Sequence, residues 1–149
     1  MEYYKNRKQE SSNGIDYSIE RIDLLIVSIS GAGIYVCLET LKYVNDNNMT
    51  PSSLVKIGGG LFLGAIILNF ISQHFGRKAN EHDYNWCEYN LDIEDEKYRD
   101  RVPELREKIR YHECEANKFS NYCVNTTNWS SIVMASGLFC LLWYFFSTF

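Results

Sequence analysis

The sequence predicts an all-α membrane protein with three transmembrane helices and a cytoplasmic antiparallel helical hairpin. Three observations carry that prediction. Apolar residues are concentrated in 24–43, 54–75 and 131–149, each near the 20 or so residues that a helix needs to cross a hydrocarbon core of about 30 Å. Nearly all of the charge lies instead in 1–23 and 76–118. Pro103 separates two stretches that repeat the same 4-3 spacing of apolar residues. The mean hydropathy of the 149 residues is that of an ordinary soluble protein and conceals this segregation.

Residues 1–21 form a cytoplasmic amino-terminal tail. Lys5, Arg7 and Lys8 stand beside Ser11, Ser12, Asn13 and Gly14, a composition that predicts mobility up to Gly14 and ordered structure from about Asp16, a residue suited to an N-cap. The first span, 22–43, carries small residues in its middle, among them Ser28, Gly31, Ala32 and Gly33, and small residues let helix backbones approach closely in lipid. Residues 44–53 make a short external loop, with Asn45 to Asn48 as turn formers and Thr50-Pro51 as cap and first helical residue. So short a link makes the first two spans antiparallel neighbours.

The second span, 54–75, contains Gly60 and Gly64 in a G-x-x-x-G step, expected like Gly31 to serve helix packing. From there Phe75, Ala79, His82, Trp86, Tyr89 and Ile93 continue at 4-3-4-3-4. Beyond Pro103 the spacing recurs in Leu105, Ile109, His112, Ala116, Phe119 and Cys123. Residues 76–128 are therefore expected to pair as two helices of about 25 residues, roughly 37 Å each. The chain then re-enters the membrane as a third span, 129–149, with Trp129 and Trp143-Tyr144 at interfacial positions.

Orientation follows from basic residues. The tail and Arg21 contribute four Lys or Arg, the middle region nine and the short loop none, with Lys42 and Lys56 at its margins. The positive-inside rule then places the amino terminus and hairpin in the cytoplasm and the carboxyl end outside.

No nucleophile elbow, phosphate loop or dinucleotide fingerprint occurs, so an enzyme is not expected, nor is a cofactor. His82, Cys87, His112, Cys114 and Cys123 lack C-x-x-C or H-x-x-x-H spacing, and the two histidines fall on the seam, so no metal site is assigned. The net charge of −4, with Asp100, Glu104 and Glu107 interleaved in the basic run 97–110, argues against nucleic acid. Asp92, Glu94, Asp95 and Glu96 read as a solvated hairpin tip suited to docking a cytoplasmic protein partner.

Two polar sets lie within the spans. Asn69 and Gln73, one turn apart, either line a water-filled path or hydrogen-bond to the third span near Ser131. In the first span Arg21, Leu25, Ser28, Ala32, Tyr35, Glu39 and Lys42 make a 4-3 stripe, small in the middle and charged at both ends. That stripe is either a packing seam with Glu39 paired to Lys42 or Lys56, or the wall of a pore formed by several copies.

A glycine-containing two-span hairpin that runs directly into amphipathic helices, here FGRKANEHDYNWCEYNL, resembles the SLATT-type small membrane effectors of bacterial conflict and antiphage systems. The resemblance covers 24–91 and lies in layout, and the terminal third span departs from it. It implies a pore-forming, membrane-permeabilising role in a bacterial inner membrane. The expected function is accordingly a homo-oligomeric channel or pore lined by Ser28, Ala32, Tyr35, Glu39, Asn69 and Gln73. The alternative is a non-conducting scaffold that anchors a cytoplasmic partner through 76–128.

Overall fold

A computed structural model describes the backbone of residues 2–48, 50, 52–94 and 101–148, and the side chains of 6, 24–48, 50, 52–93 and 101–148. The described residues form three helices and no strand: α1 (Glu2–Asp46), α2 (Ser53–Glu94) and α3 (Val102–Thr148). Each is long and apolar enough to cross a membrane.

The helix α1 starts far earlier than the sequence suggested, at Glu2 rather than near Asp16. Its 45 residues contain no proline, and Gly14 costs a helix only about 1 kcal/mol. Once the apolar part is helical, each further residue adds a hydrogen bond without a new nucleus, so the polar extension persists. The helix ends where Asn48 takes φ 51°, the left-handed region that asparagine tolerates. There the Asn47 backbone N–H and side-chain amide both donate to the Tyr43 carbonyl, at 3.1 and 2.8 Å. Ser52 caps α2 by accepting the Leu54 N–H at 3.3 Å, in the role expected of Thr50; Pro51 lies outside the described residues.

Neither α2 nor α3 is interrupted at 75/76 or 128/129, the boundaries drawn between span and hairpin. Only a lone glycine marks the first position, and it serves close approach: a Cβ on Gly76 would lie 3.3 Å from Cys123 Sγ. Pro103 falls in the first turn of α3, where its missing N–H breaks no hydrogen bond.

The chain divides into two compact units, Met1–Arg21 with Ser72–Val124, and Ile22–Ile71 with Asn125–Phe149. In the first, α2 and α3 pair antiparallel along the anticipated seam. Ser72 Oγ donates to the Cys123 carbonyl at 3.0 Å, Phe75 meets Phe119 and Tyr122, and His82 and Tyr89 meet His112. Ala79 and Leu105 are buried there. Cys87, which the seam omits, is fully buried as well. The segment up to Arg21 belongs to the same unit.

The second unit has a core of Cys37, Val55, Phe62, Leu141 and Tyr144, flanked by Ile34, Leu41, Leu54 and Met134. Phe62 is its keystone and is fully buried. Its ring occupies the space that a Cβ would need at Gly33 on α1, 2.5 Å away, and at Gly137 on α3, 3.2 Å away. Two glycines on facing helices thus make the socket for one ring. In lipid, where apolar side chains gain little by leaving the solvent, such close packing supplies much of what holds helices together.

Candidate functional site

Within the second unit, α1 has two stripes at the same spacing. Ile26, Ser30, Gly33, Cys37 and Val44 are buried against the other helices. Leu25, Ser28, Ala32, Tyr35, Glu39 and Lys42 lie on the outer side, Tyr35 with 64% of its surface exposed. The side chain of Arg21, the first member of the outer stripe, lies outside the described residues. The stripe is therefore not the seam that holds the helices of this chain together.

The outer faces differ in chemistry. Those of α2 and α3 are bulky and apolar, with Leu63, Ile67 and Phe70 on one and Ile132, Phe139 and Leu142 on the other. The outer face of α1 also exposes Leu25, Val36 and Leu38, but its stripe interleaves with them a hydroxyl, small residues, a phenol and a carboxylate. Among the described residues Glu39 forms no ion pair, so neither Lys42 nor Lys56 neutralises it. Glu104, by contrast, accepts from Lys108 at 2.8 Å and from Arg101 at 3.3 Å. The Lys108 hydrogen bond, then the Arg101 charge, hold its carboxyl below the usual range.

Asn69 is placed elsewhere. It is wholly buried inside the three-helix core, and neither its amide oxygen nor its nitrogen has a hydrogen-bond partner among the described residues. Ser30 Oγ is buried and unpartnered in the same way. Among the described residues the expected tie between Asn69 and α3 near Ser131 is not formed. Ser131 Oγ donates to its own helix at Thr127, 3.1 Å away, while Ser130 Oγ reaches across to the Ala65 carbonyl at 2.7 Å. Gln73 is half-buried. Ser28, Ala32, Tyr35 and Glu39 thus share one outward face, and Asn69 is not on it.

The glycines separate likewise. Gly64 packs on α3, a Cβ there lying 3.8 Å from Val133, whereas Gly31 and Gly60 have nothing within 4 Å and are open to an outside neighbour. Sequence reasoning named Gly33 only among the small residues of the first span and passed over Phe62 and Gly137. The available signal was the second 4-3 register through Ser30, Gly33 and Cys37, one to two residues from the stripe that was singled out.

Among the described residues no group of three or more His, Cys, Asp or Glu side chains is placed to hold a metal ion. Comparison with known proteins gave no match: no protein-family model fits the sequence, and neither curated proteins nor solved structures show significant similarity to it.

Proposed function

We propose that the protein is a homo-oligomeric membrane channel whose axis is lined by the outer stripe of α1. The observation that carries this reading is the exposed set Ser28, Ala32, Tyr35 and Glu39, left over once the protomer's own core is complete. Facing hydrocarbon, an unpaired carboxylate and a hydroxyl would lose their water for nothing. Facing copies of the same stripe, they surround a polar axis. The small residues leave it room for water, and Glu39 forms a carboxylate ring that favours cations. The open Gly31 beside the stripe suits close approach of a second copy.

The remainder of the layout follows from helix length. At about 1.5 Å per residue α2 and α3 run to roughly 63 and 70 Å, about twice a hydrocarbon core, so their charged halves extend beyond the bilayer. The basic-residue asymmetry puts those halves and the amino terminus in the cytoplasm, the 44–53 loop and carboxyl end outside, and the 76–128 region where a cytoplasmic protein can gate it. The layout resemblance to SLATT-type effectors supports a bacterial inner membrane and a permeabilising role in antiphage defence.

Single-cysteine crosslinking tests the arrangement. With the native cysteines replaced, Ser28→Cys is expected to form disulfides between copies in membranes, and the buried Ser30→Cys none. Equal crosslinking of both, or of neither, contradicts the placement of α1 at the axis.

A further inference from the structure

His82 on α2 and His112 on α3 face each other with their Nδ1 atoms 2.9 Å apart. Aromatic rings enclose the pair. Phe119 stacks on His82 with centroids 5.6 Å apart, Tyr89 lies 5.4 Å from His112, and Tyr111 sets its edge against both imidazoles. A nitrogen–nitrogen contact of this length is a hydrogen bond only when one Nδ1 carries a proton and the other presents a lone pair. The arrangement therefore sets a limit on protonation. Two neutral imidazoles satisfy it, and so does one imidazolium donating to one imidazole. Two imidazolium rings do not: both Nδ1 atoms then carry hydrogens, and two like charges meet.

We infer that His82 and His112 form a proton-operated clasp between α2 and α3, closed while the pair carries at most one positive charge and opened by the second proton. That proton comes from solvent, binds the accepting Nδ1 and breaks the N–H···N bond, so the reaction is a simple association with no other reactant.

The charged neighbours work in the same direction. Lys78 on α2 and Lys108 and Lys118 on α3 hold their ammonium groups over Phe119 and Tyr89, 5.4 to 5.8 Å from the ring centres; the last two are each offset by a carboxylate, so the added positive potential around the pair comes from Lys78. Of the carboxylates on these two helices, Glu104 pairs with Lys108 and Glu115 with Lys118, while Glu81 and Glu113, next in sequence to His82 and His112, are exposed to solvent. Asp83, next to His82 in sequence, has an interaction of its own. The segment up to Arg21 in the same unit carries both signs of charge, on side chains outside the described residues. Burial first, and the His82 charge second, hold the His112 imidazole below its ordinary value of 6.5. The unfolded chain then takes up a proton that the folded pair refuses. The His112 contribution to stability is full above that ordinary value, declines as pH falls below it, and is gone once pH has fallen through the lower folded value.

The inference does not rest on the channel reading, and its test does not read conductance. The full-length protein in nanodiscs, with Trp129→Phe and Trp143→Phe so that Trp86 alone reports, is unfolded by heat at pH 7.5 and pH 5.0. The midpoint is expected to fall by about 5 °C or more at the lower pH, and this fall to vanish in His112→Phe, which fills the aromatic site but binds no proton. His74→Gln should keep the full shift. Should His112→Phe fail to fold, His82→Gln replaces it; its amide still donates to His112 Nδ1 while one titrating ring is gone, and the shift should shrink. Equal midpoints at the two pH values in the unsubstituted histidine pair, or an undiminished shift in the folded variant, would overturn the clasp.

Discussion

Gly33→Ala is the sharpest probe of the packing that sets which face of α1 looks outward. The added methyl would stand 2.5 Å from Phe62 Cε2 and 2.7 Å from Cδ2, where carbon atoms ordinarily rest about 3.5–4.0 Å apart. The ring must therefore retreat by about 1 Å. It has no free direction, because Phe62 is fully buried and Gly137 already brings it to 3.2 Å on the α3 side. Overpacking of this kind costs about 1–3 kcal/mol, partly offset by the gain of up to about 1 kcal/mol from replacing a helical glycine. Gly31→Ala and Gly60→Ala carry the same gain with no neighbour within 4 Å, so the contrast between sites isolates the clash. Thermal unfolding of the monomer in detergent, followed by circular dichroism, should rank Gly33→Ala below both by about 1–3 kcal/mol. Adding Phe62→Leu should recover part of the loss, since the two sites share one contact. If the three alanine variants unfold alike, Phe62 does not sit between α1 and α3, and the outward stripe loses its basis.

Asn69→Leu, nearly the same shape without the unpartnered amide, should raise the unfolding free energy of the monomer by about 1–3 kcal/mol; a loss of stability would mean the amide has a partner after all. In intact cells an impermeant thiol reagent should label Asn47→Cys directly, and the exposed native Cys114 only after the membrane is opened. The reverse pattern would invert the topology. Removing the surface ion pair with Lys108→Met should leave the melting temperature unchanged, because exposed pairs are screened by water; a clear drop would show that this Lys acts through Tyr89 instead.

The three helices long and apolar enough to cross a membrane, and the antiparallel pairing of α2 with α3, were legible because each rests on a long-range regularity: about twenty apolar residues in one case, matched 4-3 spacing across Pro103 in the other. The start of α1 was not. Polar residues after a tolerable glycine carry no signal that separates a helical extension from a tail, and the outcome depends on the apolar helix that nucleates it. Which face of α1 turns inward was hidden for a different reason. A span is apolar all round, so the register through Ser30, Gly33 and Cys37 and the one through Ser28, Tyr35 and Glu39 look equally suited to packing. Only the partner decides, and the partner is Phe62, whose bulk matters because two glycines happen to face it. For the same reason Asn69 and the α1 stripe, grouped by polarity in the sequence, part company: Asn69 lies inside the packed core and the stripe outside it.

The central claim is that Glu39 rings the mouth of a channel, and ion selectivity reads it most directly. Purified protein reconstituted into liposomes is compared with Glu39→Gln at matched copy number, with reversal potentials measured under a salt gradient. The account predicts a cation-selective current in the wild type and a weakened cation preference in Glu39→Gln with assembly intact. Identical selectivity in the two proteins, or no current from a correctly assembled wild type, would contradict it and leave a membrane-anchored scaffold as the better description.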